Sequence, residues 1–390
     1  MNLVLSKRIP TSMKQNSISK EIERLTKLGR HYIDLTSSNP TNCNLTYPKK
    51  DIIDNIANDK LFNYQPNSQG NQTTREAIAI YHSHNTVASN IILTSSSSEA
   101  YSWLFKLLCN PNDTILTTSP NYPLFYWLAA LEGVRVNMIP MIRHERWSID
   151  LQSLEKTLAG KIRVLIIVNP NNPTGQFLSH NEWSTIMSLC AKYNVTLIVD
   201  EVFKDYTLEP ESDYLPTVLD RIHNDCTIFI ISGLSKVAAM PQIKLSWILA
   251  ASKCAQTMLK TLLFIADQYL SVSTPAQLVT PKLLAAAPII QSEIIQRMRN
   301  NLRIIDLVIT KNKHLSRFKV GGGWSAIIRR PATTSSENFT LKLLKKYQVL
   351  VHPSYFFDLT GDGYIIVSLL TKHHLFQNGI ERLAIATMQN

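Results

Sequence analysis

Cysteine is scarce in this chain of 390 residues, and what there is lies scattered. Cys43, Cys109, Cys190, Cys226 and Cys254 form no CxxC pair, so no zinc site is expected and the thiols read as reduced, as in a cytoplasmic protein. Long apolar runs are missing as well. None reads as long enough to span a membrane, and the apolar stretch in MNLVLSKRIP is too short for a signal peptide. The formal net charge is +11, yet no Lys/Arg block and no basic-aromatic ladder carries it, so no nucleic-acid partner is expected. A dispersed positive surface, or an anionic cofactor and substrate, accounts for the charge equally well. Repeats and low-complexity linkers are absent. A hydrophobic content of 45% is that of an ordinary globular chain, and the length suffices for a large domain plus a smaller one.

What is present centres on IFIISGLSKVAAMPQIKLSW, residues 228–247. A β-branched apolar run ends abruptly in Ser232, Gly233, Leu234, Ser235 and Lys236, as a buried strand delivering hydroxyls and one lysine to its C-terminal end would. Lys244 follows eight residues after Lys236. Desolvation at a sheet mouth lowers a lysine pKa and frees the amine for a Schiff base, and small hydroxyls beside it can hold a phosphate. Taken alone, Lys236 reads as a surface lysine after a core strand.

Other strand ends add to it. Residues 91–94 read as a strand, followed by the serines 95–98 and a helix over 99–108; Ser97 and Ser98 are either ordinary caps or a phosphate cradle at a helix N-terminus. Residues 114–118 form a strand running into Tyr122, either a core tyrosine or a ring to stack on a flat ligand. Residues 164–168 form a buried strand ending in the loop NPNNPTG, which holds Asn172. A helix over 180–193 leads to a strand over 196–199 that ends at Asp200. This alternation predicts a parallel sheet with helices on both faces and ligands beyond its carboxyl ends, where Asn172, Asp200 and Lys236 all fall.

Upstream, helices are expected over 18–28, over 50–61 and around Arg75, Ile78 and Ile80, with a short strand over 31–35 and Tyr64 on a loop closed by Gly70. Downstream, separate helices are expected over 262–270, 275–287 and 289–309. The rest carries strands near 325–328, 349–352 and 364–369 and helices near 338–347 and 375–388. The expected division is a large α/β domain over 49–289 and a smaller α+β domain over 1–48 and 290–390.

From about Leu35 to Leu369, the NPNNPTG loop, the strand ending in DEVF and the SGLSK segment with a cation eight residues on resemble the class I/II aminotransferases, fold type I pyridoxal-phosphate enzymes. The resemblance implies a three-layer large domain with a mainly parallel sheet, and transfer of an amino group between an amino compound and a 2-oxo acid through a Lys236 Schiff base. It implies that Asp200 pairs with the cofactor's ring nitrogen, that Asn172 donates to its phenolic oxygen and that Tyr122 stacks on the ring. Ser97, Ser98, Ser235 and Lys244 would hold the phosphate, and Tyr64 would reach the phosphate of a neighbouring subunit in a homodimer. A lyase, decarboxylase or cyclase on the same fold is the alternative within this chemistry, and a non-catalytic binding or regulatory protein the alternative outside it.

Four positions depart from the family pattern. Lys244 stands in place of an arginine, Phe203 in place of a tyrosine donor to the phenolic oxygen, and Ser38 in place of a glycine. Ile366 occupies the position of the arginine that clamps a substrate α-carboxylate, and Arg329 and Arg330 are the nearest substitutes in sequence. The expected substrate is accordingly an amine or an unusual amino acid.

Overall fold

The structure is a computed structural model that describes residues 6–10, 14–83, 85–144, 146–223 and 225–389. Residues 1–5 of the N-terminal stretch read for a signal peptide, and residues 11–13 of the polar arm behind it, lie outside the described residues.

An eight-stranded sheet organises the chain. Its spatial order is Ile91–Thr94, Ser246–Ala250, Ile228–Gly233, Thr196–Asp200, Ile162–Val168, Thr114–Ser119, Arg135–Arg143 and Trp147–Ile149. The pairings from Ile228–Gly233 to Arg135–Arg143 are parallel, while Ser246–Ala250 and Trp147–Ile149 run antiparallel to their neighbours. Alternate residues of a strand face opposite sides. Leu197, Ile228 and Ile230 accordingly enter the core on one face, with Leu116 and Leu165. Ile198, Phe229 and Ile231 enter the core on the other, with Ile115 and Ile166. Burial on both faces explains why these strands read as continuous apolar runs rather than alternating ones. Strands Arg135–Arg143, Trp147–Ile149 and Ser246–Ala250 escape the sequence reading. The last lies directly behind Lys244 and separates Ile91–Thr94 from Ile228–Gly233.

Two expectations are corrected in the segment that leaves this sheet. The helices read over 275–287 and 289–309 are one helix, Thr274–Lys311, of 38 residues with Pro281 and Pro288 inside it. A proline within a helix costs about 3 kcal/mol or more, whereas each fully buried aliphatic side chain contributes roughly 1.5–3 kcal/mol. Val279, Leu283 and Ala287 bury against the large-sheet core, and Ile290, Ile294 and Met298 against a second core, so packing along the whole length outweighs the two breaks. This helix is also long and apolar enough to cross a membrane, with a mean hydropathy of 1.3 over 18 residues, contrary to the reading that no stretch is. Its Val279, Leu283, Ile290 and Ile294 are buried in these two cores, while Ile289 and Leu307 are exposed.

The second core lies under a four-stranded antiparallel sheet ordered Ser316–Arg317, Ser325–Arg329, Tyr364–Ser368, His352–Pro353. Helices Ser336–Tyr347 and His373–Met388 pack on it through Phe339, Leu343, Phe376 and Ile380. The strand read over 349–352 divides between two sheets: Val349–Leu350 pairs in parallel with Ile33–Asp34, while His352 pairs with Ile366. The backbone of Leu35 ties the segment after Ile33–Asp34 into this region, donating to Leu350 O at 3.0 Å and accepting from Ser368 N at 2.6 Å. Ser38 and Thr36 thereby come to stand over the carboxyl end of the large sheet.

Candidate active site

A cavity of about 560 Å³ opens where the carboxyl ends of the large-sheet strands meet the small sheet. Ser97, Ser98, Tyr122, Asn172, Asp200, Ser235, Lys236 and Lys244 all line it. Tyr64 does not: it is 71% exposed, on the loop ahead of helix Gln72–His82, and its own chain does not bring it to the cavity.

Lys236 sits on the single helical turn Leu234–Val237 that follows strand Ile228–Gly233. Gly233 permits that exit. A Cβ there would collide with the Ser246 side chain on the adjacent strand. The Lys236 amine lies over the Trp324 ring at 4.7 Å and over the Phe203 ring at 5.6 Å. Burial lowers its pKa from 10.5 to about 8, with the Asp200 carboxylate opposing the shift.

Asp200 closes strand Thr196–Asp200 and is 6% exposed. Its Oδ2 accepts from the Tyr101 hydroxyl at 2.9 Å and its Oδ1 from Val202 N at 3.1 Å. Burial nevertheless raises its pKa to about 6, against the pull of those two donors and of Lys236. A carboxylate held in such surroundings has a strong affinity for a further cation or proton donor.

The serines belong to the start of helix Ser97–Leu108. Ser96 is the N-cap, its hydroxyl accepting from Glu99 N at 3.1 Å. The first N–H groups of a helix have no intrahelical acceptor, and the backbone dipoles favour an anion there. Ser97 Oγ lies 3.5 Å from Ser246 Oγ, so the serine turn, Ser235 and Lys244 converge from three elements.

Asn172 is presented by the loop after strand Ile162–Val168, which its own amides hold rigid. Asn169 donates to Leu215 O at 2.9 Å and accepts from Leu178 N at 2.9 Å, and Asn171 Oδ1 accepts from Thr174 N and Oγ1. Gly175 ends the loop at φ +70, with the Gly322 carbonyl at 2.5 Å from where a Cβ would stand, so only glycine fits.

Tyr101, Trp324 and His352 also line the cavity, and the sequence reading singles out none of them. Tyr101 had a signal, since it lies four residues beyond Ser97 on one helix face. His352 and Trp324 had none, because their place depends on how the small sheet docks. Neighbouring side chains do not make good the departures at positions 203 and 366. Tyr206 does not stand in for Phe203: its hydroxyl donates to Lys236 O at 2.5 Å, and Tyr206 is outside the cavity lining while Phe203 is in it. Arg329 and Arg330 do not stand in for the arginine missing at Ile366. Arg330 donates to the carbonyls of Pro331, Thr334 and Asp362, and both line a separate surface depression with Arg143 and Lys313.

The sequence pattern of the family described as aminotransferase class I and II matches residues 30–382. Human tyrosine aminotransferase is 32% identical over 213 residues, which is 54% of this chain and 45% of that protein. The chain spans about half the length of the mammalian relatives it matches in this way. A probable N-acetyl-LL-diaminopimelate aminotransferase of Bacillus subtilis is 25% identical over 350 residues, 87% of this chain and 84% of that one. The solved structure of an alanine aminotransferase from Pyrococcus furiosus superposes with a TM-score of 0.87 at 21% identity, covering 99% of this chain and 100% of that one.

Proposed function

The chain belongs to the aminotransferase class I and II family, whose members depend on pyridoxal phosphate, and from that premise we propose that it moves an amino group between an amino compound and a 2-oxo acid. The observation that carries this reading is the pairing, across one cavity, of a desolvated amine on Lys236 with a buried carboxylate on Asp200. The donor set fits the cofactor. Asp200 calls for a cationic ring nitrogen, the N-terminus at Ser97 and Ser98 with Ser235 and Lys244 calls for a phosphate, and the Lys236 amine calls for a carbonyl.

Bound pyridoxal phosphate supplies a carbonyl that takes up the amino group and a ring that spreads negative charge from the neighbouring carbon. The protein's part is to hold and to move protons. Asp200 Oδ would hold a proton on the cofactor's ring nitrogen, and Tyr101 and Val202 fix that carboxylate in orientation. Lys236 Nζ, with a pKa near 8, can accept a proton from the substrate carbon and return it elsewhere at neutral pH. Tyr122, flanked edge-on by Phe125 at 5.8 Å, lines the cavity and would stack on the ring. The test is a purified holoenzyme given an amine and a 2-oxo acid. A new amino acid and a new carbonyl compound are expected in equal amounts, whereas release of ammonia or carbon dioxide instead would favour the lyase or decarboxylase alternative.

The lowered pKa has a kinetic signature. A neutral amine attacks a carbonyl, so the rate at which apoprotein recovers its visible band on adding pyridoxal phosphate is expected to rise with pH through about 8. A rise only near 10.5 would show the amine to be solvated.

Phe203→Tyr is expected to shift the pH midpoint of that band downward, because it restores a donor to the cofactor's phenolic oxygen. Titrating the visible spectrum of both proteins decides it; with Tyr206 committed to Lys236 O, an unchanged midpoint would mean that position 203 does not face the oxygen.

We also infer a homodimer in a reducing, cytoplasmic compartment. Tyr64, Tyr126, Trp127 and Leu131 are exposed apolar or aromatic groups that a second copy could cover, and no disulfide joins the cysteines among the described residues. Sedimentation of the holoenzyme, with and without Tyr64→Ala, tests the first of these.

A further inference from the structure

The cavity has two chemically distinct ends. Lys236 and Lys244 are its lining cations among the described residues, and both stand at the end formed by the large sheet. The other end is built by the small sheet, and its register is informative. Ser325 pairs with Ser368, and Ile366 pairs with Ile327 on one side and His352 on the other. Side chains two apart on a strand share a face, so Ile366 points the same way as Ser368. Ile366 is buried among Ile327, Phe357 and Trp147, a hydrocarbon cluster where the family resemblance expects a guanidinium. His352, its cross-strand neighbour, lines the cavity beside it with Ser325 and Ser368. Trp324 completes the wall.

Resting on the amino-transfer reading, we propose that His352, Ser325 and Ser368 receive an uncharged hydrogen-bonding group of the amino donor, a carboxamide or a hydroxyl, in place of an α-carboxylate. The amino donor is then an amino amide or amino alcohol with His352 as its specificity-determining residue, and the 2-oxo acid acceptor, whose carboxylate meets no counter-charge at this end, is bound more weakly than the donor. Hydroxyls and a neutral imidazole both donate and accept, which matches an amide or alcohol and gives a carboxylate no counter-charge. Burial lowers the His352 pKa from 6.5, with the Asp34 carboxylate and the Thr36 backbone opposing, so the ring is neutral at pH 7. The Asp34 carboxylate, held by Thr36 N and Oγ1 at 2.7 and 2.6 Å, adds a negative charge on the same side that disfavours a second one.

Matched donors test this on the holoenzyme: L-phenylalanine, L-phenylalaninol and L-phenylalaninamide, with the corresponding alanine series, each followed by bleaching of the visible band. The uncharged members are expected to exceed the amino acid in kcat/KM by about tenfold or more, since a carboxylate buried at this end of the cavity meets no counter-charge. Calorimetry with hydrocinnamide and hydrocinnamate, which carry no amine and cannot react, is expected to show the same preference in binding. His352→Val should raise KM for the preferred donor about tenfold with kcat little changed, and His352→Gln should restore it. Retention of the visible band verifies that each variant is folded. Amino acids reacting as fast as or faster than their uncharged counterparts would overturn the inference and leave amino transfer standing. A KM unmoved in His352→Val would remove the histidine from the account. A band that no amine bleaches would sink the amino-transfer reading and this inference with it.

Discussion

Lys236→Ala is expected to abolish covalent capture of pyridoxal phosphate. Wild-type holoenzyme reduced with borohydride should carry one cofactor on the peptide containing residue 236, and the variant none. Turnover should fall about 10⁴-fold or more, because the variant loses both the attacking amine and the group that shuttles the proton, and general acid–base catalysis alone is worth about 10²–10⁴. The fold should survive. Lys236 makes no salt bridge among the described residues, and its amine is held over two aromatic rings by desolvating contacts that alanine does not need. Non-covalent cofactor binding should also survive, weakened, through Asp200, the Ser97 turn and Lys244. Normal borohydride trapping in the variant would transfer the role to another lysine.

Asp200→Ala is expected to leave a folded protein that loses activity roughly 10²–10³-fold, the usual scale for removing one preorganised electrostatic partner. The larger loss should be in kcat, since the carboxylate acts where charge develops, with a smaller loss in cofactor affinity. The pH dependence of stability offers a second readout. The folded-state pKa of Asp200 is raised from 3.8 to about 6, so its contribution is fully present below about pH 4 and is lost as pH rises through about 6. Apoprotein carrying Asp200→Asn should therefore lose part of the fall in Tm between pH 4 and 6. The decline continuing toward pH 7 belongs to Glu201, fully buried and raised to about 7. Full activity in Asp200→Ala would make the strand-end aspartate a structural residue. An unchanged pH slope in Asp200→Asn would mean that its proton affinity is ordinary.

Five of the eight strands of the large sheet, and the edge of it that matters, are legible in the sequence. Apolar runs such as 162–168 and 228–233 are buried on both faces, so their hydrophobicity is continuous and local, and the residues that end them must stand at the carboxyl edge. Asn172, Asp200, Ser235 and Lys236 are each one short step beyond such a run, which is why their convergence could be read without coordinates. The same local logic misplaced a break at Pro288, because the burial that holds helix Thr274–Lys311 together comes from two cores that no sequence window contains. The tertiary structure alone decided the rest of the site. Trp324 and His352 reach the cavity only through the docking of the small sheet. The register His352 to Ile366, and not any spacing along the chain, sets a histidine beside the missing arginine. Arg329 and Arg330, near in sequence to that task, are carried away from it: Arg330 is committed to three backbone carbonyls, and Arg329 faces a different surface. Strand identity is set by neighbours two residues apart, whereas which side chain faces which across a sheet depends on partners tens or hundreds of residues away.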